Sequence, residues 1–207
     1  MTTKYLALAL AGLILLPTAG FAQLEEEEEK ETVNKILVVN AVPAAILLDI
    51  DGSKLRVSGP DGETRMSQVF TIPNLAAGIG AELNDEWFAD LTAGAGFIIN
   101  DSFQSLFLQV VAGASCLISE SFRLGPRAGL IFHPDPNWSE DDNLDFDSAT
   151  GFILGAHATL GDRVKYFVSV DLVDTTFDFS LSEGSAASDD DFDLTGIAVQ
   201  FGVRGEF

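Results

Sequence analysis

Leu194-Thr-Gly-Ile-Ala-Val-Gln-Phe-Gly-Val-Arg-Gly-Glu-Phe207 carries the pattern on which the fold turns. Odd positions Thr195, Ile197, Val199, Phe201, Val203 and Phe207 are mostly apolar, with Gly205 the exception. Even positions Gly196, Ala198, Gln200, Gly202, Arg204 and Glu206 are small, polar or charged. Successive side chains of a strand point to opposite faces, so this period of two makes one oily face and one wet face. An edge strand of a soluble sheet has the same alternation, and the rest of the chain must separate the two readings.

At the other end, residues 1–22 have the three parts of a secretory leader. Lys4 supplies the charge, Leu6 to Leu16 the apolar stretch, and Gly20 and Ala22 the small-residue exit, with cleavage expected after Ala22. The apolar stretch is broken by Gly12 and followed by Pro17, and it is shorter than the roughly 20 residues of a helical span. No later stretch is long and apolar enough for such a span either. Yet 47% of residues are hydrophobic and the mean hydropathy is +0.24. An exported chain of this kind either hides its oil inside a soluble barrel or turns it outward to lipid in short alternating segments.

The formal charge is −21, and losing a leader that carries only Lys4 makes it one unit more negative. That balance argues against nucleic acid as a partner. Cys116 is the only cysteine, so no intramolecular disulfide forms, and its parity with Leu106, Leu108, Val110 and Ala114 makes it an apolar filler. Gln23 to Glu31 is a run of glutamates that reads as a solvated lead-in, extended to residue 43.

The barrel is expected over residues 44–207. Ala44 to Val57 reads as the first strand, with an Ile46 to Val57 hairpin turning at Asp51-Gly52 as the alternative. Six further strands alternate plainly: Gln68 to Leu83, Trp87 to Ile99, Phe103 to Ile118, Phe122 to His133, Ala149 to Leu160 and Val164 to Leu181. With the terminal strand they make eight. Pro126 asks for an edge or a bulge, and an apparent change of parity near Asp174 suggests another bulge. Connections at Asn84 to Glu86, Ser119 to Ser121 and Gly161 to Arg163 are tiny. Of the alternate set, Ser58 to Met66, Pro134 to Ser148 and Ser182 to Asp193 are long, and Asn100 to Ser102 is short. Short turns on one side and long loops on the other are the asymmetry of a barrel that spans an outer membrane. Trp87, Phe122, Tyr166 and Phe207 fall at the short-turn end, and Phe97, Phe132, Phe152 and Phe177 toward the long-loop end, as two interfacial belts. The fold expected is all-β, an eight-stranded antiparallel up-and-down transmembrane β-barrel, with a soluble periplasmic barrel as its structural rival.

Leader, alternating strands, glycine-rich inner faces and the terminal Val203-Arg-Gly-Glu-Phe207 together resemble the small outer-membrane barrels typified by outer-membrane proteins A, X and W. The resemblance implies a bacterial outer-membrane location, contact with outer-membrane lipid, and recognition by the barrel-assembly machinery through Phe207. It does not imply an activity.

Under this parity a lumen charge network is expected from Glu82, Asp90, Arg123, Arg127, His157, Asp171, Arg204 and Glu206, joined by Gln109 and Gln200. An eight-stranded bore is narrow enough for side chains to fill, which favours a plug of paired charges over a pore. Both histidines, His133 and His157, take inner parity, Ser139 and Glu140 are near His133 only in sequence, and no Gly-x-Ser-x-Gly element occurs. No enzyme activity and no cofactor are therefore expected. Asp141, Asn143, Asp145 and Asp147 are weak candidates for a metal, because the calcium-loop pattern is missing. The role expected is structural or surface-interacting, with loops 134–148 and 182–193 as candidate contacts for an extracellular partner. A narrow transport or ligand-binding barrel is the alternative, and a lipid-modifying enzyme the third reading.

Overall fold

Alternation along the chain is realised as a closed antiparallel wall, oily outside and mixed inside. The computed structural model describes residues 35–50, 55–59, 62–138, 144–181, 185–188 and 191–207, and every regular element among them is a strand. In chain order these are β1 (Lys35–Asp49), β2 (Arg56–Gly59), β3 (Gly62–Arg65), β4 (Val69–Thr71), β5 (Asn74–Glu82), β6 (Trp87–Ile99) and β7 (Phe103–Ser119). They continue as β8 (Phe122–His133), β9 (Pro136–Trp138), β10 (Leu144–Phe146), β11 (Ala149–Gly161), β12 (Val164–Leu181), β13 (Ala186–Ala187) and β14 (Asp191–Glu206).

Eight staves close the ring: β1, β4 with β5, β6, β7, β8, β11, β12 and β14, each antiparallel to the next, with β14 returning to β1. The expected count and topology hold. The leader, the glutamate run and the Asp51-Gly52 turn lie outside the described residues.

The first stave differs from expectation. It is Lys35–Asp49, so residues 35–43 belong to the wall and not to a lead-in, and Ala44 to Val57 is not one strand. Nor does the alternative hairpin form, since β2 pairs with β3 and β13. The cause is a register shift between Ala41 and Ala44, around Pro43. Val38, Asn40 and Val42 are buried before it, and Ala45, Leu47 and Asp49 after it, so the inward face moves from even to odd positions. Two short alternations of opposite phase look like one unpatterned apolar run.

Two expected bulges are absent. Pro126 lies in an unbroken β8, paired with Ala156. The β7–β8 ladder passes from Gly113↔Arg127 to Cys116↔Leu124 without changing register, so the missing donor is tolerated in place. β12 also keeps its phase: Lys165, Phe167, Ser169, Asp171, Val173, Thr175 and Phe177 are all buried. Phe177 therefore points into the barrel and is not part of an interfacial belt.

The regions read as long loops carry short strands of their own. β9 pairs with β7, β10 pairs with β12, and β9 meets β10, so much of 134–148 continues the wall upward. Trp138, Leu144 and Phe146 are buried on its inner side. β2, β3 and β13 form a separate small sheet, and Leu55, Val57 and Met66 join the core from this region. The short turns use side chains as backbone mimics: Asn84 Oδ1 accepts from the amides of Glu86 and Trp87, both at 2.9 Å.

Close approach of neighbouring staves depends on inward glycine. A Cβ on Gly125 would stand 1.8 Å from the Ala114 carbonyl oxygen, a backbone atom held by the ladder. Gly125→Ala is expected to cost about 1–3 kcal/mol or more. Urea titration of the refolded barrel, read by heat-modifiable gel mobility, checks this; an unchanged midpoint would refute it.

Candidate functional site

The lumen holds the chemistry, in three layers. At the short-turn mouth an open vestibule of about 320 Å³ is lined by Glu82, Arg123, Lys165 and Glu206 among others. Behind it runs a lattice of ion pairs. Arg123 reaches Glu82 at 3.4 Å and Glu206 at 3.3 Å, and Lys165 also holds Glu206. Arg204 binds Asp90 at 2.8 Å and Glu206 at 2.9 Å. Arg127 Nε lies 3.3 Å from Asp171 Oδ1, yet neither atom has hydrogen-bond geometry to the other, so this pair is electrostatic contact only.

Four cations thus face four carboxylates. Buried charges are tolerated when paired, and their value lies less in net stability than in the cost of breaking one. Rings add to the arrangement: the guanidinium groups of Arg123 and Arg204 sit 4.9 and 5.4 Å from the centre of Phe88, and that of Arg127 lies 5.5 Å from the centre of Phe167.

An amide belt follows at mid-depth. Gln109 Nε2 donates to Asn74 Oδ1 at 3.3 Å, and Asn74 Nδ2 donates to Gln200 Oε1 at 3.2 Å. Gln200 Nε2 then donates to Asp171 Oδ2 at 3.0 Å, an oxygen that also accepts from Ser169 at 2.7 Å. Above the belt the lumen turns apolar. Phe103 meets Phe70, Phe146, Phe177 and Phe192 with centroids 5.3–6.2 Å apart. Leu47, Ile72, Ile98, Ile131, Ile153 and Leu194 surround them. His133 is enclosed there, its Nδ1 3.0 Å from Ser105 Oγ.

All eight lumen residues singled out from the sequence face inward, and seven of them are drawn into ion pairs. The eighth, His157, is buried against Phe167, rings 6.2 Å apart, with neither nitrogen bonded to protein. Lys165 was missed, although the outward Tyr166 and Val168 put it on the inner parity. The aromatic core was missed as well; Phe88, Phe103 and Phe107 all occupy lumen positions of their strands. Trp87, Tyr166 and Phe207 are exposed on the outer wall, and Phe122 is partly covered. Asp145 and Asp147 are exposed, Asp141 and Asn143 lie outside the described residues, and no group of three metal-ligating side chains gathers among the described residues.

The outer wall between the mouths is apolar. Leu75, Leu91, Val110, Leu130, Leu154, Val170 and Phe201 are each 49–62% exposed, a surface that water does not favour and lipid does. No family model matches the sequence, and neither does any curated protein. Among solved structures, the chain is similar to the outer membrane protein OprG of Pseudomonas aeruginosa, at 10% identity over 84% of this chain and 97% of that one, with a TM-score of 0.53. It also matches Ail, the attachment invasion locus protein of Yersinia pestis, at 14% identity over 84% and 98%, TM-score 0.45. A third match is the outer membrane protease OmpT of Escherichia coli, at 9% identity over 87% and 99%, TM-score 0.42. At such identities the first of these bears on fold and the other two carry no weight. The closed ring of eight antiparallel staves, the oily outer wall and the likeness to OprG lead to one conclusion: the chain has the fold of a small outer-membrane β-barrel.

Proposed function

We propose that this protein is a non-conducting, non-enzymatic barrel with a structural and surface-interaction role, working through the acidic wall at its long-loop end. The observation that carries this reading is the filled lumen. Ion pairs, an amide belt and an aromatic core follow one another along it, and the cavities at and above the lattice measure about 20 Å³ each. His133 and His157 are sealed inside, out of reach of an external substrate.

The wall above the lipid band supplies the interaction surface. Asp145, Asp178 and Asp191 are exposed there, and Asp174 and Asp193 partly so. The described parts of β10, β14 from Asp191 to Thr195 and β12 from Asp174 onward contain no Lys, Arg or His. Thr195 donates to Asp174, and Thr176 to Asp193, both at 2.6 Å, which holds these carboxylates in place. Asp178 stands directly opposite Asp191, and like charges in that position repel. A cationic partner would relieve that repulsion, so a basic protein segment is the class of partner this wall fits.

Two measurements test the proposal. The purified barrel in planar bilayers should give no stepwise conductance above the lipid baseline; stable steps would overturn the closed reading. Oligolysine should bind about tenfold more weakly, a loss of about 1.4 kcal/mol, when Asp145, Asp178, Asp191 and Asp193 are all changed to Asn. Equal binding by both proteins would remove the wall from the role.

A further inference from the structure

Among the ion pairs lies a small cavity of about 20 Å³, lined in part by Asn40, Asp90, Thr92, Arg127, His157 and Arg204. Such a volume suits one water molecule. Three of the lining side chains are more than nine-tenths buried, and each has a polar atom without a protein hydrogen bond: Asn40 Oδ1, both nitrogens of His157, and Arg127 Nε, whose 3.3 Å contact with Asp171 lacks hydrogen-bond geometry. Asp90 and Arg204 are already joined to each other at 2.8 Å.

The valences of the unpartnered atoms identify the guest. Arg127 Nε donates, Asn40 Oδ1 accepts, and a neutral imidazole offers one donor and one acceptor. Two donors and two acceptors are the complement of a water molecule, which itself has two of each. A halide would meet only the donors, an ammonium ion only the acceptors, and an apolar guest neither. Gly113 keeps the space open: a Cβ there would stand 3.1 Å from both His157 Cε1 and Asp90 Oδ2.

We infer that this cavity is a binding site for a single resident water, held by Asn40, Arg127 and His157. The water ties β1 to β8 and β11. Counted around the ring, β1 and β8 are four staves apart, so the tie crosses the full bore. It deepens the sealed-lumen reading, on which its role as a brace rests, but it is read by a different measurement from the conductance that decides that reading.

The test is water-to-protein cross-relaxation in the full barrel, with ¹⁵N,¹³C-labelled histidine, in lipid nanodiscs. A cross-peak from water to the His157 ring protons is expected, unchanged between chloride-free and chloride buffer, and assigned by its loss in His157→Phe. Three results would overturn the site as a water site: no cross-peak at His157, a His157 ring shift that follows chloride concentration, or xenon uptake into the cavity. His133→Phe, in which the cross-peak should persist, makes the same assignment, so the outcome does not depend on His157→Phe folding.

Discussion

Arg204→Ala is expected to be among the most damaging single changes in the lumen, lowering the unfolding free energy by about 3–5 kcal/mol. Arg204 is 2% exposed and meets two carboxylates, Asp90 at 2.8 Å and Glu206 at 2.9 Å. Its loss removes the ion pair of Asp90 and leaves Glu206 with Lys165 and Arg123. Neutralising the stranded partner should recover part of the loss. Asp90→Asn combined with Arg204→Ala is expected to be less destabilised than the two single variants added together, by about 0.5–3 kcal/mol. Urea titrations of the four proteins in the same vesicles give this cycle directly. Additive effects would mean that the lattice is a set of independent contacts.

The second large effect is expected at Phe103. This ring has no solvent exposure and touches four other aromatic rings. It enters at the first residue of β7, where Asn100 Oδ1 accepts its amide at 2.6 Å. Phe103→Ala should cost about 3–5 kcal/mol, because the lost ring leaves a cavity that a β-wall collapses into poorly. Phe103→Leu should cost markedly less. The same titrations check both, and a small effect from alanine would show that the upper core is loosely packed.

How far these features were legible depended on what surrounds each strand. Within the lipid band, oil and lumen impose opposite demands on alternate residues, so β6, β8, β12 and β14 declared themselves, and with them every charge of the lattice but Lys165 and the Glu82 of β5, which the alternation of Gln68 to Leu83 had already placed inward. Lys165 obeyed the same rule and needed only its parity. Which cation meets which carboxylate was not legible, because partners such as Arg204 and Asp90 come from strands far apart in sequence and meet only across the bore. Above the lipid band the demand reverses. Outward residues such as Asp174 and Asp178 face water, while inward Thr175 and Phe177 face an aromatic core. The strand kept its phase and its environment changed, which mimics a shift of parity at Asp174. β1 is the opposite case: the environment stayed constant and the phase moved, at Pro43, so neither half was long enough to announce itself.

The seam between the first and last staves has a topological consequence. Leu37 and Phe207 exchange both backbone hydrogen bonds, at 2.8 and 2.9 Å, so this junction is as fully knit as any hairpin in the ring. The wall is therefore a cycle, in which the order of staves matters and the starting point does not. A circular permutant joining Phe207 to Lys35 through a short turn and opened at Asp162 would keep every ladder register, ion pair and ring contact described above.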